Sequence, residues 1–184
     1  MMKLIVLDRD GVINEDSDAF IKSPEEWRLL PGSAEAIARL THARYQVVVV
    51  TNQSGVARGH FDLGVLNRIH EKMQREVGSA GGRIDAIFYC PHSPDDNCEC
   101  RKPMPGMFQD LERRLQIKLN GIPAVGDSLR DLQAAQALGA RAILVRSGKG
   151  LKTEQQLMEA SLAEPVDVFD DLAAVVDSLL SNDS

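Results

Sequence analysis

Aromatic side chains make up only 4% of the 184-residue sequence. A protein that stacks nucleobases needs such rings along a cationic groove. Positive charge is short as well: 27 acidic residues face 21 lysines and arginines, for a net charge of −6. No basic stripe is interleaved with aromatics, so a nucleic-acid partner is not expected. Long apolar runs are missing too, and none approaches the roughly 20 residues that span a bilayer. The N-terminus lacks the charged, apolar and small-residue succession of a secretion signal. A cytoplasmic protein with no membrane partner is the expectation. Cysteines number three, an odd set that cannot pair completely within one chain. There is no repeat, low-complexity tract or linker. What remains, 43% apolar and 26% charged residues, is ordinary globular composition, and the length suits one domain over 1–184. No heptad seam or exposed apolar stripe asks for a second copy, so a monomer is the default.

Apolar, β-branched runs recur at wide intervals: Leu4–Leu7, Gln46–Val50, Ala86–Tyr89, Ile122–Val125, Ala142–Val145 and Val166–Phe169. Helical spacing fills the gaps, through Ala34, Ile37 and Leu40, then Leu66, Ile69, Met73 and Val77, then Phe108, Leu111, Leu115 and Leu119. Leu129, Leu132, Ala135 and Leu138 follow, with Gly139 as a helix stop, and a last helix runs over Leu172–Leu180 towards an end that frays at 182–184. Strands alternating with helices predict an α/β fold, a doubly wound parallel sheet of Rossmann-like type covered on both faces. The irregular stretches are Asn14–Trp27, Cys90–Pro105 and Arg146–Lys152.

In such a sheet ligands gather at the C-terminal strand ends. Asp8 and Asp10 follow the first run and precede Gly11. Two carboxylates that close raise each other's pKa unless a cation neutralises them, and Mg²⁺ takes such oxygen ligands together with a phosphate. Thr51, Asn52 and Asp127 fall at further strand ends, and Lys102 follows the third strand by a longer loop. All three cysteines share one short window with a histidine: Cys90, His92, Cys98 and Cys100. Three thiolates and one imidazole make the tetrahedral set of a structural Zn²⁺ site. Such a site fixes the loop that carries Arg101 and Lys102. The other histidines, His42, His60 and His70, read as surface residues.

Taken in order, Asp8-Arg9-Asp10-Gly11, Thr51-Asn52-Gln53-Ser54-Gly55, Arg101-Lys102-Pro103 and Gly126-Asp127-Ser128-Leu129-Arg130-Asp131 resemble the four motifs of the haloacid dehalogenase superfamily of phosphotransferases. The resemblance implies that Asp8 is a nucleophile and Asp10 a general acid/base. By it Thr51 and Lys102 hold the transferring phosphoryl group, and Asp127 completes a Mg²⁺ site with Asp8 and Asp10. It implies no large cap domain, since Asn14–Trp27 is too short for more than a flap. Asp131 is expected to cap the following helix and to hold Lys102 or the ion's water shell.

Within that superfamily the Cys-x-His…Cys-x-Cys loop, the run Ser54-Gly55-Val56-Ala57-Arg58-Gly59, Pro105-Gly106-Met107 and Val145-Arg146-Ser147-Gly148-Lys149-Gly150 resemble the family of heptose-1,7-bisphosphate 7-phosphatases over nearly the whole length. That family removes the C7 phosphate of a small sugar bisphosphate and leaves the anomeric one, supplying heptose for lipopolysaccharide. The resemblance places Asp16, Ser17, Asp18 and Ala19 at the sugar, with Thr51, Asn52, Gln53, Ser54, Arg101 and Lys102 alongside. Arg101 suits the retained phosphate, which a guanidinium grips bidentately. Two departures lie at the substrate end: Ser128 stands where some members carry a basic residue, and only five residues separate His92 from Cys98. The rival is a histidinol-phosphate phosphatase, whose family shares the short zinc loop. A polynucleotide 3′-phosphatase has the right chemistry but wants a basic groove. From a different class comes a non-catalytic, zinc-stabilised binding module, which loss of Asp8, Asp10 or Lys102 would favour; all three are present.

Overall fold

The computed structural model describes residues 3–182, so the fraying expected at 182–184 falls, past Asn182, outside the described residues. Every apolar run named above forms a strand: β1 (Lys3–Leu7), β2 (Tyr45–Asn52), β3 (Ala86–Cys90), β4 (Pro123–Gly126), β5 (Arg141–Val145) and β6 (Asp167–Phe169). They join in one sheet of order β3-β2-β1-β4-β5-β6, with each neighbour parallel. This is the doubly wound order, in which the direction of winding reverses between β1 and β4 and leaves a crevice at their C-terminal ends.

Period-two alternation sorts the strand residues onto two faces. Ile5, Leu7, Val47 and Val49 look into one core with Ile37, Leu40, Ile69, Met73, Val175 and Val176. Leu4, Val6, Val48 and Val50 look into the other with Met107, Phe108, Leu111, Leu132 and Ala135. Thus α1 (Ser33–His42), α2 (Leu63–Ser79) and α6 (Leu172–Asn182) cover the first face, and α3 (Gly106–Leu115) and α4 (Leu129–Gln136) the second. The Asp62 carboxylate caps α2 by accepting from the Val65 N–H at 2.7 Å, a contact worth about 1 kcal/mol.

Two elements differ from the sequence reading. The third helix stops at Leu115 because Gln116 takes a left-handed φ of 53°; Leu119 lies beyond it yet stays buried. A further helix, α5 (Gly150–Leu157), starts inside the stretch read as irregular. Only Gly150 and Thr153 of it are buried, so it carries no apolar stripe to betray it. Between β1 and α1 there is no regular element. This flap is pinned by Trp27, fully buried, and by Lys72, whose Nζ donates to the carbonyls of Pro24 and Trp27, both at 2.8 Å. No helix of the described residues is long and apolar enough to cross a membrane.

Candidate active site

Since β1 ends at Leu7 and β4 at Gly126, Asp8 and Asp127 leave adjacent strands side by side. Asp131, in the first turn of α4, adds a third carboxylate, and one oxygen from each of the three lies within 4.8 Å of the others. Lys102 reaches in from the loop after β3 and donates to Asp8 at 3.0 Å, Asp131 at 2.8 Å and the Val50 carbonyl at 2.7 Å. These three acceptors use every ammonium hydrogen. Asp131 does what was expected of it: besides holding Lys102 it accepts from the Ser128 N–H and hydroxyl, closing a capping box on α4. Burial opposes its ionisation, but Lys102 and Ser128 outweigh burial and hold it below the usual carboxylate range.

The other two carboxylates are left in surplus. Burial, and then the charge of Asp131, push Asp8 up to about 7 despite Lys102. Burial and the charges of Asp131 and Asp8 push Asp127 up to about 8. An all-oxygen donor set with excess negative charge fits a hard divalent cation. Both folded values exceed the unfolded carboxylate value, so the two groups leave stability intact below about pH 4 and erode it as pH rises through their folded values. In metal-free buffer the melting temperature should therefore fall between about pH 5 and 8, and added Mg²⁺ should reverse that fall. A flat series indifferent to Mg²⁺ would contradict the charge assignment.

The Asp10 carboxylate is not part of this trio. It accepts from Arg9 Nη2 at 2.8 and 3.1 Å, Arg9 Nε at 3.2 Å, Asn14 Nδ2 at 2.9 Å and Gln53 Nε2 at 2.9 Å. Burial alone would raise its pKa, but the Arg9 charge and these hydrogen bonds outweigh burial and hold it low. The Asp10 side chain, expected in the Mg²⁺ set from the sequence, is therefore already committed to Arg9, Asn14 and Gln53, and Asp131 stands beside Asp8 and Asp127 instead. Arg9 is itself fully buried and meets His70 Nε2 at 3.2 Å on its other side. His70 is therefore not a surface residue: it is 7% exposed. Its spacing with Leu66, Met73 and Val77 puts it on the edge of the apolar stripe of α2, a signal the sequence did hold. Burial, and then the Arg9 charge, press its pKa down to about 3.

Asp127 is held by the turn before α5. Its Oδ2 accepts from the Lys149 N–H at 2.8 Å, and its carbonyl accepts from the Thr153 hydroxyl at 2.7 Å. Gly11 and Gly148, both at positive φ, press so closely on that carboxylate that a Cβ at either would collide with it. The irregular stretch 146–152 thus has a task at the site.

On the far side of Lys102, single donor atoms of Cys90, His92, Cys98 and Cys100 lie within 4.8 Å of one another. Burial, and then Cys100 and Cys98, push Cys90 up; burial and Cys98 push Cys100 up against the hydrogen bond to Cys90, which lowers it. Burial works the same way on Cys98, but the Arg101 N–H and the two other thiols outweigh it and bring Cys98 down to about 7. The soft, converging S₃N set fits a tetrahedral Zn²⁺. Asn52 clips the same loop to β2, donating to the Lys102 carbonyl at 3.1 Å and accepting from its N–H at 3.0 Å.

These groups floor a cavity of about 230 Å³ at the strand ends. Asp16, Ser17, Asp18, Asn52, Gln53, Ser54 and Arg101, which the resemblance places at the sugar, line it. Ala19 and Thr51 do not: Ala19 is exposed, and Thr51 is buried behind the lining with its hydroxyl accepting from Gln53 Nε2 at 3.0 Å. Three cations at the rim were missed, Arg58, Arg130 and Lys149. Lys149 is paired with Asp16 at 3.1 Å. Arg58 and Arg130 instead crowd Arg101, whose pKa is lowered by burial first and then by their charges. All three lie in sequence stretches singled out above, Arg58 after Ser54-Gly55, Arg130 in the fourth motif and Lys149 after Gly148, but a lone cation carries no mark of where it points.

Two family models match the chain, HAD-hydrolase-like over residues 99–175 and polynucleotide kinase 3 phosphatase over residues 3–134. Among curated proteins, the D-glycero-beta-D-manno-heptose-1,7-bisphosphate 7-phosphatase of Bordetella bronchiseptica is 60% identical over 179 residues, 97% of this chain and 98% of that one. Its namesake in Pseudomonas aeruginosa is 50% identical, covering 96% and 97%. The crystal structure of D,D-heptose 1,7-bisphosphate phosphatase from B. bronchiseptica, complexed with magnesium and phosphate, superposes with a TM-score of 0.94 at 59% identity over 98% of this chain and 99% of that chain.

Proposed function

The chain belongs to the heptose-1,7-bisphosphate 7-phosphatase family of haloacid-dehalogenase-like hydrolases, and on that premise we propose that it removes the C7 phosphate of D-glycero-β-D-manno-heptose 1,7-bisphosphate with Asp8 as nucleophile. An Asp8 oxygen attacks phosphorus, the bond to the C7 oxygen breaks, and an aspartyl-phosphate forms on Asp8; one hard displacement becomes two easier ones. Asp10 gives its proton to the departing alkoxide and then takes one from the water that hydrolyses the intermediate. Arg9 keeps Asp10 anionic in the free protein, and the incoming phosphate, a like charge, raises its pKa so that it can carry the proton. Lys102 holds the phosphoryl oxygens, and the Thr51 hydroxyl, behind the lining, acts only through Gln53, from which it accepts at 3.0 Å. The Asp8 and Asp127 carboxylates would hold Mg²⁺, which when bound would supply the charge neutralisation that lets two anions meet.

The observation that carries the choice of substrate is one small cavity with two separate sources of positive charge. Lys102 and the ion that the carboxylates would hold serve one phosphate at the floor; Arg58, Arg101 and Arg130 line the same cavity, and the charges of Arg130 and Arg58 act on Arg101. A rim of three guanidiniums matches a second, retained phosphate. Arg130 supplies there a charge that some members carry directly after the fourth-motif aspartate, where Ser128 is occupied with Asp131. The choice of the β anomer is supported by the names of the relatives, which print it for their own substrate. The polynucleotide reading fits the same chemistry, but Asp16 and Asp18 at the cavity mouth would repel a nucleic-acid backbone.

The test is a phosphate-release panel with Mg²⁺: both anomers of the heptose bisphosphate, histidinol phosphate and a 3′-phosphorylated oligonucleotide. The β bisphosphate should turn over fastest and release a single phosphate. Preference for histidinol phosphate or the oligonucleotide, or loss of both sugar phosphates, would overturn the assignment; no release from any of them would favour a pure binding module.

Zn²⁺ at Cys90, His92, Cys98 and Cys100 acts at one remove. The loop holding Lys102 is polar and has little apolar material to order it, so the ion takes the place of a core. Replacing Cys100 by Ser should reduce bound zinc and lower kcat by about 10- to 100-fold, the usual cost of loosening a support around a reacting group. A zinc-free variant with full turnover would refute this.

A further inference from the structure

We propose that His70 is a positioning residue for phosphoryl transfer, acting as the acceptor that locks Arg9 flat against the Asp10 carboxylate. The inference rests on the assignment of Asp10 as acid and base. A guanidinium has five N–H donors and no acceptor, so the contact between Arg9 Nη1 and His70 Nε2 at 3.2 Å has one polarity only. Arg9 donates, and the ring is neutral with its proton on Nδ1. The other edge of the same guanidinium, Nε and Nη2, faces Asp10, while Nη2 also reaches Gln53 Oε1 at 3.3 Å.

Arg9 and Asp10 are neighbours in sequence, and a planar fork on a carboxylate one residue away is free to swing unless something fixes its far end. His70 provides that fixture from a rigid element. It sits in the middle of α2, and its ring lies 6.1 Å from that of Tyr89 on β3. Removing the acceptor leaves a buried N–H of Arg9 without a partner, and Arg9 then turns to find one. The Asp10 carboxylate, which aims its proton at the leaving oxygen, loses its alignment. A displacement of about 1 Å at such a group costs about 10²-fold in rate.

The substitutions His70→Leu and His70→Gln separate positioning from mere packing. The Gln amide oxygen can accept from Arg9 where Nε2 did; Leu cannot. kcat/KM reports the first, proton-assisted step, read on phenyl phosphate, whose leaving group needs a proton, and on 4-nitrophenyl phosphate, whose leaving group scarcely does. His70→Leu should lose about 10²-fold on phenyl phosphate and several-fold at most on the nitrophenyl ester, and His70→Gln should recover the phenyl ester activity. Equal losses on both esters, a Gln variant as impaired as Leu, or no loss at all would overturn the role. Should His70→Leu fail to fold, His70→Asn takes its place, since its shorter amide reaches the Nδ1 position and not Nε2. Wild type inert towards both esters would sink the phosphatase reading itself, whereas leaving-group-independent losses sink only the role of His70.

Discussion

An Asp8→Asn protein should fold as the parent does and lose on the order of 10⁴- to 10⁶-fold in phosphate release, the scale on which a removed nucleophile is felt. Folding is expected because Asn has nearly the same shape and keeps an oxygen for Lys102 Nζ, now 3.0 Å from Asp8. It also removes one of three crowded carboxylates whose ionisation burial resists. The melting temperature of the metal-free variant should therefore match or exceed that of the parent. Activity is lost because no second carboxylate replaces Asp8: Asp127 is clamped by the Lys149 N–H and Asp131 is spent on Lys102 and Ser128. Steady-state phosphate release beside a thermal melt checks both halves. Retained turnover would remove the nucleophile; a collapsed fold would show that the Asp8 charge is needed for structure.

Lys102→Met combines the second-largest loss of activity with a stability cost that Asp8→Asn avoids. The ammonium is 2% exposed and bridges Asp8 and Asp131. Burial alone would favour the neutral amine, but the charges of Asp131 and Asp8 outweigh it and raise the pKa. Met fills the volume without the charge, so two buried carboxylates lose their counter-ion. Breaking a buried pair from one side costs about 3–5 kcal/mol, roughly 6–20 °C in melting temperature for a chain of this size. Removing a charge aimed at the transferring phosphoryl group should cost a further 10²–10³-fold, roughly, in kcat. Mg²⁺ should offset part of the stability loss, because it shares Asp8. A variant that melts like the parent but is inactive would assign Lys102 to catalysis alone.

Much of this was readable in the sequence because it depends on period and order. The apolar runs from Leu4–Leu7 to Val166–Phe169 marked the strands of a sheet covered on both faces, and the strand ends then placed Asp8, Thr51 and Asp127 on one edge. The zinc ligands were legible because all three cysteines share one window. What stayed hidden depends on where long side chains point. Nothing local says that Arg9 turns inward to Asp10, that His70 on α2 backs it, or that Arg58 and Arg130 line the same cavity as Arg101. Helix α5 was missed for a related reason: it buries a glycine and a threonine, not an apolar stripe. Thr51 and Ala19 were put at the cavity by resemblance, and neither lines it.

The claim on which the account turns is a covalent bond between Asp8 and phosphorus. The most direct measurement quenches the wild-type protein with acid during turnover of a ³²P-labelled phosphomonoester, digests it, and locates the label. The account predicts an acid-stable, hydroxylamine-sensitive label on the peptide that carries Asp8, absent from Asp8→Asn. Label on any other residue, or turnover with water attacking phosphorus directly and no labelled protein under conditions that slow hydrolysis, would contradict it.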